Sequence, residues 1–115
     1  MMRNLRIAGG LVYGLLLGTG CVGAVSGEEA HRLVQNGALL LDVRTVEEFQ
    51  AGHLPGATNA PVEDLNLLLP QLSLKKDQDV VVYCESGSRS ANAASMLREA
   101  GFTKVHDLGS RRNWR

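Results

Sequence analysis

A run of apolar residues that ends in a cysteine constrains the fold of this chain more than any other feature of its sequence. Val80-Val81-Val82-Tyr83 has the β-branched and aromatic composition of a buried strand, and it leads directly into Cys84. The loop Glu85-Ser86-Gly87-Ser88-Arg89-Ser90 follows, with a glycine suited to a tight turn. An alanine-rich stretch with helical periodicity begins at Ser90. The sequence therefore predicts a strand, a turn and a helix start with a cysteine between them.

The predicted helix start has a chemical consequence for Cys84. The first N–H groups of a helix have no intrahelical partner and carry a partial positive charge. A sulfur placed at their focus is stabilised as the thiolate, which is the nucleophilic form of cysteine. The alternative is structural, a small buried cysteine that ends a strand.

Helix and strand patterns alternate along the rest of the chain. Helices are predicted at Ser26–Gly37, Thr45–Gly52, Pro61–Pro70 (where proline should end or kink the helix) and Ser90–Gly101, the first two opening with capping boxes. Strands are predicted at Leu39–Val43, Ala57–Asn59, Val80–Tyr83 and Val105–Leu108, with Val22–Val25 as a candidate first strand and Gly109–Arg115 as a candidate last helix. This alternation predicts an α/β domain whose mostly parallel sheet has helices on both faces. Active sites in such domains lie beyond the carboxyl ends of the strands, where Cys84 is expected.

The beginning of the chain differs in composition from the rest. Arg3 and Arg6 precede a run without charged residues from Ile7 to Val25, rich in Leu and Gly. A positive start, an apolar run and small residues beyond it are typical of an export signal. Cleavage is predicted after Ala24 or after Ser26.

Two alternatives to a cleaved signal remain open. The apolar run is long enough to act as an uncleaved membrane anchor, and Cys21 lies in a context that resembles a bacterial lipoprotein cleavage site. In each case we expect an exported, periplasmic protein, possessing a membrane tether if the segment is retained or lipidated. Residues 1–24 are therefore separated from one domain at residues 25–115.

Composition narrows the range of partners and cofactors. Twelve Lys and Arg residues balance twelve Asp and Glu residues, so there is no electrostatic case for nucleic-acid binding. Loss of the leader with Cys21 would leave Cys84 as a single thiol, unable to form an internal disulfide. His31 and His106 have no ligand pattern near them, and His53 in its Gly/Pro turn is interpreted as a structural hydrogen-bonder. We expect neither a metal nor another cofactor.

Several motifs in a fixed order resemble a known family. They are Leu41-Asp42-Val43-Arg44, Glu48-Phe49, Gly52-His53-Leu54-Pro55-Gly56-Ala57, the loop Cys84–Ser90, Gly101-Phe102 and Gly109–Trp114. Together they resemble a single-domain rhodanese of the exported bacterial type, over about residues 25–115. The resemblance implies a rhodanese-like three-layer α/β fold with a mostly parallel five-stranded sheet. It also implies sulfurtransferase chemistry through a cysteine persulfide.

Residue by residue, the resemblance implies that Cys84 is the nucleophile that accepts sulfur. The loop around the transferred sulfur would consist of Glu85, Ser86, Gly87, Ser88, Arg89 and Ser90. Asp42 and Arg44 match an Asp-x-Arg element that in the family braces the structure near the site. From the residues alone, we expect Arg44 to pair with Glu48 one turn along the chain. Asp42, at the end of a buried strand, should hydrogen-bond local backbone.

The predicted reaction has two steps. The Cys84 thiolate attacks the sulfane sulfur of a donor such as thiosulfate and expels sulfite, and cyanide or a thiol then removes that sulfur. Loop amides stabilise the anionic sulfur, and Arg89 is expected to orient an anionic donor. The expected partners are a small sulfur-donor anion, a cyanide or thiol acceptor and, as a further option, a protein acceptor.

Two charged features modify this expectation. Glu85 stands where family members that favour thiosulfate often have basic residues, and its charge would repel a dianion unless it faces solvent. The cluster of Arg111, Arg112 and Arg115 is interpreted as a solvated tail, in a C-terminal segment too short to support a last helix well.

Two other functions remain open. A cysteine phosphatase or arsenate reductase uses a similar anion-binding loop, but typically with five residues between Cys and Arg. Here Glu85 to Ser88 provide four, and the loop contains no Asp to act as a leaving-group acid. A non-catalytic persulfide carrier or redox-sensing module is compatible with the whole sequence, and Glu85 favours it over thiosulfate turnover.

Overall fold

The computed structural model describes residues 23–115, so the predictions for residues 1–22, lipidation of Cys21 among them, lie outside the described residues. The described chain forms one parallel sheet of four strands. They are β1 (Leu39–Asp42), β2 (Thr58–Asn59), β3 (Asp79–Cys84) and β4 (Lys104–Ser110), in the spatial order β2-β1-β3-β4. The longest strands, β3 and β4, therefore lie side by side, and β3 is central.

The sheet has four strands within residues 23–115, not the five that were expected. The candidate first strand is reduced to an isolated parallel bridge between Ala24 and Asp107 of β4. The Val25 N–H donates to the Asp107 carbonyl at 3.0 Å, and the Asp107 N–H donates to the Gly23 carbonyl at 3.1 Å. Ser26 already caps a helix. The chain therefore turns away from β4 after three described residues.

Four α-helices connect and cover the strands. They are α1 (Gly27–Gln35), α2 (Val46–Gln50), α3 (Leu65–Leu72) and α4 (Ser88–Glu99), with 3-10 turns at Val62–Asp64 and Arg111–Asn113. The capping box of α2 is confirmed in both directions between Thr45 and Glu48. For α1, the Ser26 hydroxyl accepts from the Glu29 N–H at 3.0 Å, which confirms one half of the predicted box. Each cap satisfies N–H groups that have no helical partner.

The helices lie on both faces of the sheet, as predicted. On one face Val80, Val82 and Cys84 of β3 contact a core formed with α3 and α4. On the other face Val81 and Tyr83 contact a core formed with α1. Successive side chains of a strand point to opposite faces, so one six-residue strand supplies both cores. The result is a three-layer α/β/α domain.

Two expectations for the helices differ from the structure. Of the two effects expected of Pro70, ending the helix is contradicted, because α3 continues past it to Leu72, with Ser73 in the left-handed conformation at the C-cap. The segment after Leu108 does not form an α-helix. Instead β4 extends to Ser110, which caps the 3-10 turn Arg111–Asn113 through its hydroxyl.

The C-terminal segment packs more closely than expected. The Trp114 ring stacks on His31 of α1 with ring centroids 3.6 Å apart, and it contacts the core on that face. A Cβ at Gly27 would collide with the Asn113 carbonyl. Within residues 23–115, no helix is long and apolar enough to cross a membrane.

Candidate active site

Cys84 is the last residue of β3, and its sulfur lies at the start of α4. Sγ accepts hydrogen bonds from the Gly87 N–H at 3.0 Å and from the Ser90 N–H at 3.3 Å. Gly87 is the N-cap of α4, with φ 109° and no side chain to cap the helix. The cysteine sulfur therefore takes the position that a capping side chain normally occupies, next to the positive end of the helix.

The rest of the predicted loop is divided between buried and exposed positions. Ser90 is fully buried, and its hydroxyl donates to the Gly87 carbonyl at 3.0 Å. Ser86 and Ser88 are exposed. Cys84 itself has no exposed surface and is a free thiol in the described part of the chain. The loop and the start of α4 therefore enclose the sulfur in this structure.

Arg89 is held by a carboxylate from α2. Its Nη1 and Nη2 donate to the two Glu48 carboxylate oxygens at 2.7 and 3.0 Å. This bidentate bond, helped by the Thr45 N–H, lowers the pKa of Glu48 to about 2. The hydrogen bond that Arg89 donates to Glu48 raises the pKa of Arg89 in turn. The pair ties α2 to the start of α4.

The predicted pairing of Arg44 with Glu48 is wrong. The Arg44 guanidinium donates instead to Asp42, from Nη2 to Oδ2 at 2.7 Å and from Nε to Oδ1 at 3.0 Å. Its Nη2 also donates to the Gly52 carbonyl at 2.7 Å. Glu48 is taken by Arg89, which comes from a distant part of the chain. The hydrogen bond to Asp42 is the main reason that the pKa of Arg44 is raised.

Asp42 makes the local backbone contact that the sequence predicted. Its Oδ1 accepts from the Arg44 N–H at 2.9 Å, and both residues are buried. Its Oδ2 also accepts from the Tyr83 hydroxyl at 2.6 Å. Every oxygen of this buried carboxylate is therefore hydrogen-bonded, which is the condition under which burial of a charge is tolerated.

Tyr83 belongs to the site's support but was not identified from the sequence. The residue is fully buried, and its hydroxyl accepts from the Leu54 N–H at 3.1 Å while donating to Asp42. Burial is the main cause of its raised pKa. The sequence signal that could have identified Tyr83 is its place in a buried strand, because a buried tyrosine requires a hydrogen-bond partner for its hydroxyl. In the structure β1 pairs with β3, so that Asp42 lies beside Tyr83 and provides this partner.

Arg111 is a second residue of the site that was not identified from the sequence. It was interpreted as part of a solvated tail, yet its Nε lies 3.0 Å from Glu85 Oε1. The same carboxylate oxygen lies 3.4 Å from Arg44 Nη1. The register of β3 and β4 explains the contact, because Cys84 lies beside Ser110 and brings the next residue close. Glu85 therefore stands between two arginines.

A cavity of about 230 Å³ opens beside the loop, lined by Arg44, Glu48, Ala51, Gly52, Glu85 and Arg111. His53 lies outside this set, and its Nδ1 donates to the Phe49 carbonyl at 2.9 Å, as expected for a structural role. No cluster of three or more metal-ligating side chains occurs within residues 23–115. The polar groups of the site are arginines, the carboxylates that pair with them and main-chain N–H groups. The arginines and the N–H groups are suited to anionic reactants.

The fold and site define a class, an α/β domain in which helix N–H groups hold a cysteine sulfur at the carboxyl end of a parallel strand. A family profile described as "Rhodanese-like domain" matches residues 26–115. The chain belongs to this family.

Similar proteins from different organisms support the assignment of the chain to this family. "Thiosulfate sulfurtransferase 16, chloroplastic" from Arabidopsis thaliana is 39% identical over 95 residues, covering 74% of this chain and 79% of the relative. The structure of the human single-domain sulfurtransferase TSTD1 has a TM-score of 0.68 at 30% identity, covering 84% of this chain and 96% of that one. Reduced CoADR-RHD from Bacillus anthracis has a TM-score of 0.65 at 34% identity; the match covers 76% of this chain but 15% of that longer protein. The family is thus one of rhodanese sulfurtransferases.

Proposed function

We propose that this protein transfers sulfane sulfur from a small anionic donor such as thiosulfate to a thiophilic acceptor, through a persulfide on Cys84. The observation that carries the proposal is the pair of N–H groups from Gly87 and Ser90 that donate to Sγ. The relative named a thiosulfate sulfurtransferase supports the donor. No cofactor takes part in the proposed reaction.

In the first proposed step the Cys84 thiolate attacks the outer sulfur of thiosulfate. A new S–S bond forms to Cys84, the S–S bond of thiosulfate breaks, and sulfite leaves with the bonding electron pair. The terminal sulfur of the persulfide keeps the negative charge that it carried in thiosulfate, and the charge that the thiolate brings leaves with sulfite. Gly87 and Ser90 N–H groups stabilise negative charge on sulfur in both states, as an oxyanion hole stabilises oxygen.

In the second step cyanide or a thiolate attacks the terminal sulfur. The persulfide bond breaks, thiocyanate or a new persulfide leaves, and Cys84 returns to the thiolate without oxidation or reduction from outside. The two steps form a ping-pong cycle. No general base is required if the resting sulfur is already ionised.

The supporting residues have positioning roles in this proposal. Asp42 and Arg44 brace the ends of β1 and β3 through Tyr83, and Arg89 fixes the start of α4 through Glu48. The charge of Arg89 is thus compensated, so orientation of an anionic donor rests on other groups. Glu85 does not present an uncompensated charge either, because Arg44 and Arg111 flank it.

A turnover assay tests the proposal. The protein should form thiocyanate from thiosulfate and cyanide, and Cys84→Ser should abolish this activity while the circular dichroism spectrum is unchanged. Activity that survives in Cys84→Ser would remove the cysteine from the mechanism. Hydrolysis of an aryl phosphate without thiocyanate formation would favour the phosphatase alternative. Slow loading from thiosulfate with fast release to a protein acceptor would favour the carrier.

We also propose that the protein is exported to the periplasm, with residues 1–24 acting as a signal peptide or a tether. The proposal rests on Arg3, Arg6 and the uncharged run from Ile7 to Val25. Cell fractionation with mass spectrometry of the mature protein tests it. A new N-terminus after Ala24 or Ser26 would indicate cleavage, and a lipid mass on Cys21 would indicate an anchor. Recovery of the full-length chain in the cytoplasm would contradict export.

A further inference from the structure

Among the described residues three arginines lie at the loop, and two of them hold a carboxylate through at least two hydrogen bonds. Arg44 is buried and gives its Nε and Nη2 to Asp42 and to the Gly52 carbonyl. Arg89 gives both of its Nη groups to Glu48. An incoming anion would have to break a short contact to use the Nη groups of Arg89 or Nη2 of Arg44, and the remaining Nη1 belongs to a buried side chain.

Arg111 is held differently. In the described chain its one ion pair is a single contact, from Nε to Glu85 Oε1 at 3.0 Å. The Arg111 side chain is 41% exposed and that of Glu85 is 37% exposed. The second contact of Glu85, between Oε1 and Arg44 Nη1, is long at 3.4 Å. Half-exposed ion pairs of this kind add little to stability, so Glu85 can leave Arg111 at small cost.

The position of this exchangeable pair connects it to the reaction. Glu85 follows Cys84 directly, and Arg111 follows the residue that lies beside Cys84 in β4. Both side chains line the cavity of about 230 Å³. An anionic group bound there lies next to the loop that holds the sulfur. In the resting state the Glu85 carboxylate binds the Arg111 guanidinium, as the carboxylate of a bound ligand would.

We propose that Arg111 is a substrate-binding residue that takes the oxyanion group of a small sulfur compound, and that Glu85 is the internal ligand which the substrate displaces. This inference rests on the proposed sulfur transfer and names the chemistry that the site selects. The oxyanion belongs either to the donor, as the sulfonate end of thiosulfate, or to the acceptor, as the carboxylate of a thiol such as 3-mercaptopropionate. Guanidinium recognises both groups through paired N–H donors.

Ping-pong kinetics with matched substrates distinguish these sources. The substrates are thiosulfate as donor, with 3-mercaptopropionate or uncharged 2-mercaptoethanol as acceptor. The variants are Arg111→Gln and Glu85→Gln, and Arg112→Gln is the control because it removes the same charge from the neighbouring exposed position. Arg111→Gln should raise one KM about tenfold or more, as expected for loss of a charged hydrogen bond. Arg112→Gln should change each KM less than about twofold.

The affected KM identifies the ligand. A raised KM for thiosulfate alone assigns the site to the donor, and a raised KM for 3-mercaptopropionate but not 2-mercaptoethanol assigns it to the acceptor. Glu85→Gln should lower the same KM about two- to fivefold, because the internal competitor has lost its charge. An equal rise in the KM of the charged and of the neutral acceptor, or changes in every KM no larger than those of Arg112→Gln, would overturn the proposal. An unchanged or raised KM in Glu85→Gln would overturn displacement.

A binding measurement separates this inference from the proposed function. Calorimetry on Cys84→Ser, which cannot turn over, should give a Kd for thiosulfate or for 3-mercaptopropionate that weakens about tenfold when Arg111→Gln is added. If that result holds while the wild type forms no persulfide, the anion site stands and the transfer function fails. If the wild type forms persulfide but neither probe depends on Arg111, the function stands and this inference fails.

Discussion

Tyr83 and Cys84 are neighbours in sequence, yet their side chains point to opposite faces of β3 and belong to two different regions. On the Tyr83 face, side-chain hydrogen bonds join Tyr83, Asp42 and Arg44 in a buried network. On the Cys84 face, main-chain N–H groups supply the contacts to the sulfur. The strand alternation therefore separates a structural brace from a chemical centre by one residue. Changes on the first face should alter stability, and changes on the second should alter reactivity.

The largest effect on the brace is expected from Asp42→Ala. The substitution leaves Arg44 buried without its main partner, and breaking a buried pair in this way typically costs about 3–5 kcal/mol. Urea unfolding measures the loss in the free energy of unfolding. The control is Glu47→Ala, an exposed carboxylate on α2, which should change stability by less than about 0.5 kcal/mol. Equal losses in the two variants would contradict the proposed brace.

A smaller loss is expected from Tyr83→Phe. It removes the hydroxyl that joins Asp42 to the Leu54 N–H, and a buried group left unpaired costs about 1–3 kcal/mol. Uptake of sulfur by Cys84, followed by mass spectrometry on the folded protein, should stay within about twofold of the wild type. A large fall in uptake with little loss of stability would break the separation of the two faces.

Gly87→Ala tests the chemical face against a matched glycine. Gly87 has φ 109° and Gly37, at the end of α1, has φ 103°, and an added Cβ has room at both positions. Each alanine variant should lose about 1 kcal/mol of stability from backbone strain. Gly87→Ala alone should slow sulfur uptake, by roughly tenfold or more, because strain at this φ shifts the backbone and moves the residue's N–H away from Sγ. Equal uptake rates in the two variants would mean that the placement of this N–H does not assist the reaction.

The smallest effect concerns Glu48 and depends on pH. Its pKa is lowered from the ordinary 4.5 to about 2, so its contribution to stability is present above pH 4.5 and is lost as pH falls toward 2. Glu48→Gln should therefore be less stable than the wild type near neutrality, by about 1 kcal/mol or less because the pair is partly exposed. In urea unfolding the difference should shrink as the pH is lowered through this range. A difference independent of pH would assign the effect to packing.

Local signals in the sequence located the elements of the fold. The Thr45 capping box, the apolar run of β3 and the glycine after α4 are each encoded within a few residues, and all are present in the structure. The strand count depends on how Gly23–Val25 meets β4, which is a long-range contact. The local rule for Pro70 omits the packing of Leu65, Leu68 and Leu69 on the core, a tertiary contact that supports α3 past the proline.

The site was predictable where it depends on chain order, and not where it depends on tertiary partners. The position of Cys84 before a helix start follows from the local pattern. The partner of Arg44 does not, because Glu48 is a good local candidate that Arg89 takes after folding. The contact of Glu85 with Arg111 requires the register of β3 and β4, including a shift between Val82 and Tyr83. No local rule supplies that register.

The central claim is that the main-chain cap makes the Cys84 sulfur a nucleophile able to accept sulfur. Intact-mass spectrometry of the wild type and of Cys84→Ser, before and after incubation with thiosulfate at neutral pH, tests it most directly. The wild type should gain the mass of one sulfur atom and lose it again when cyanide is added, while Cys84→Ser should gain nothing. An unchanged wild-type mass, or an equal gain in the serine variant, would contradict the claim.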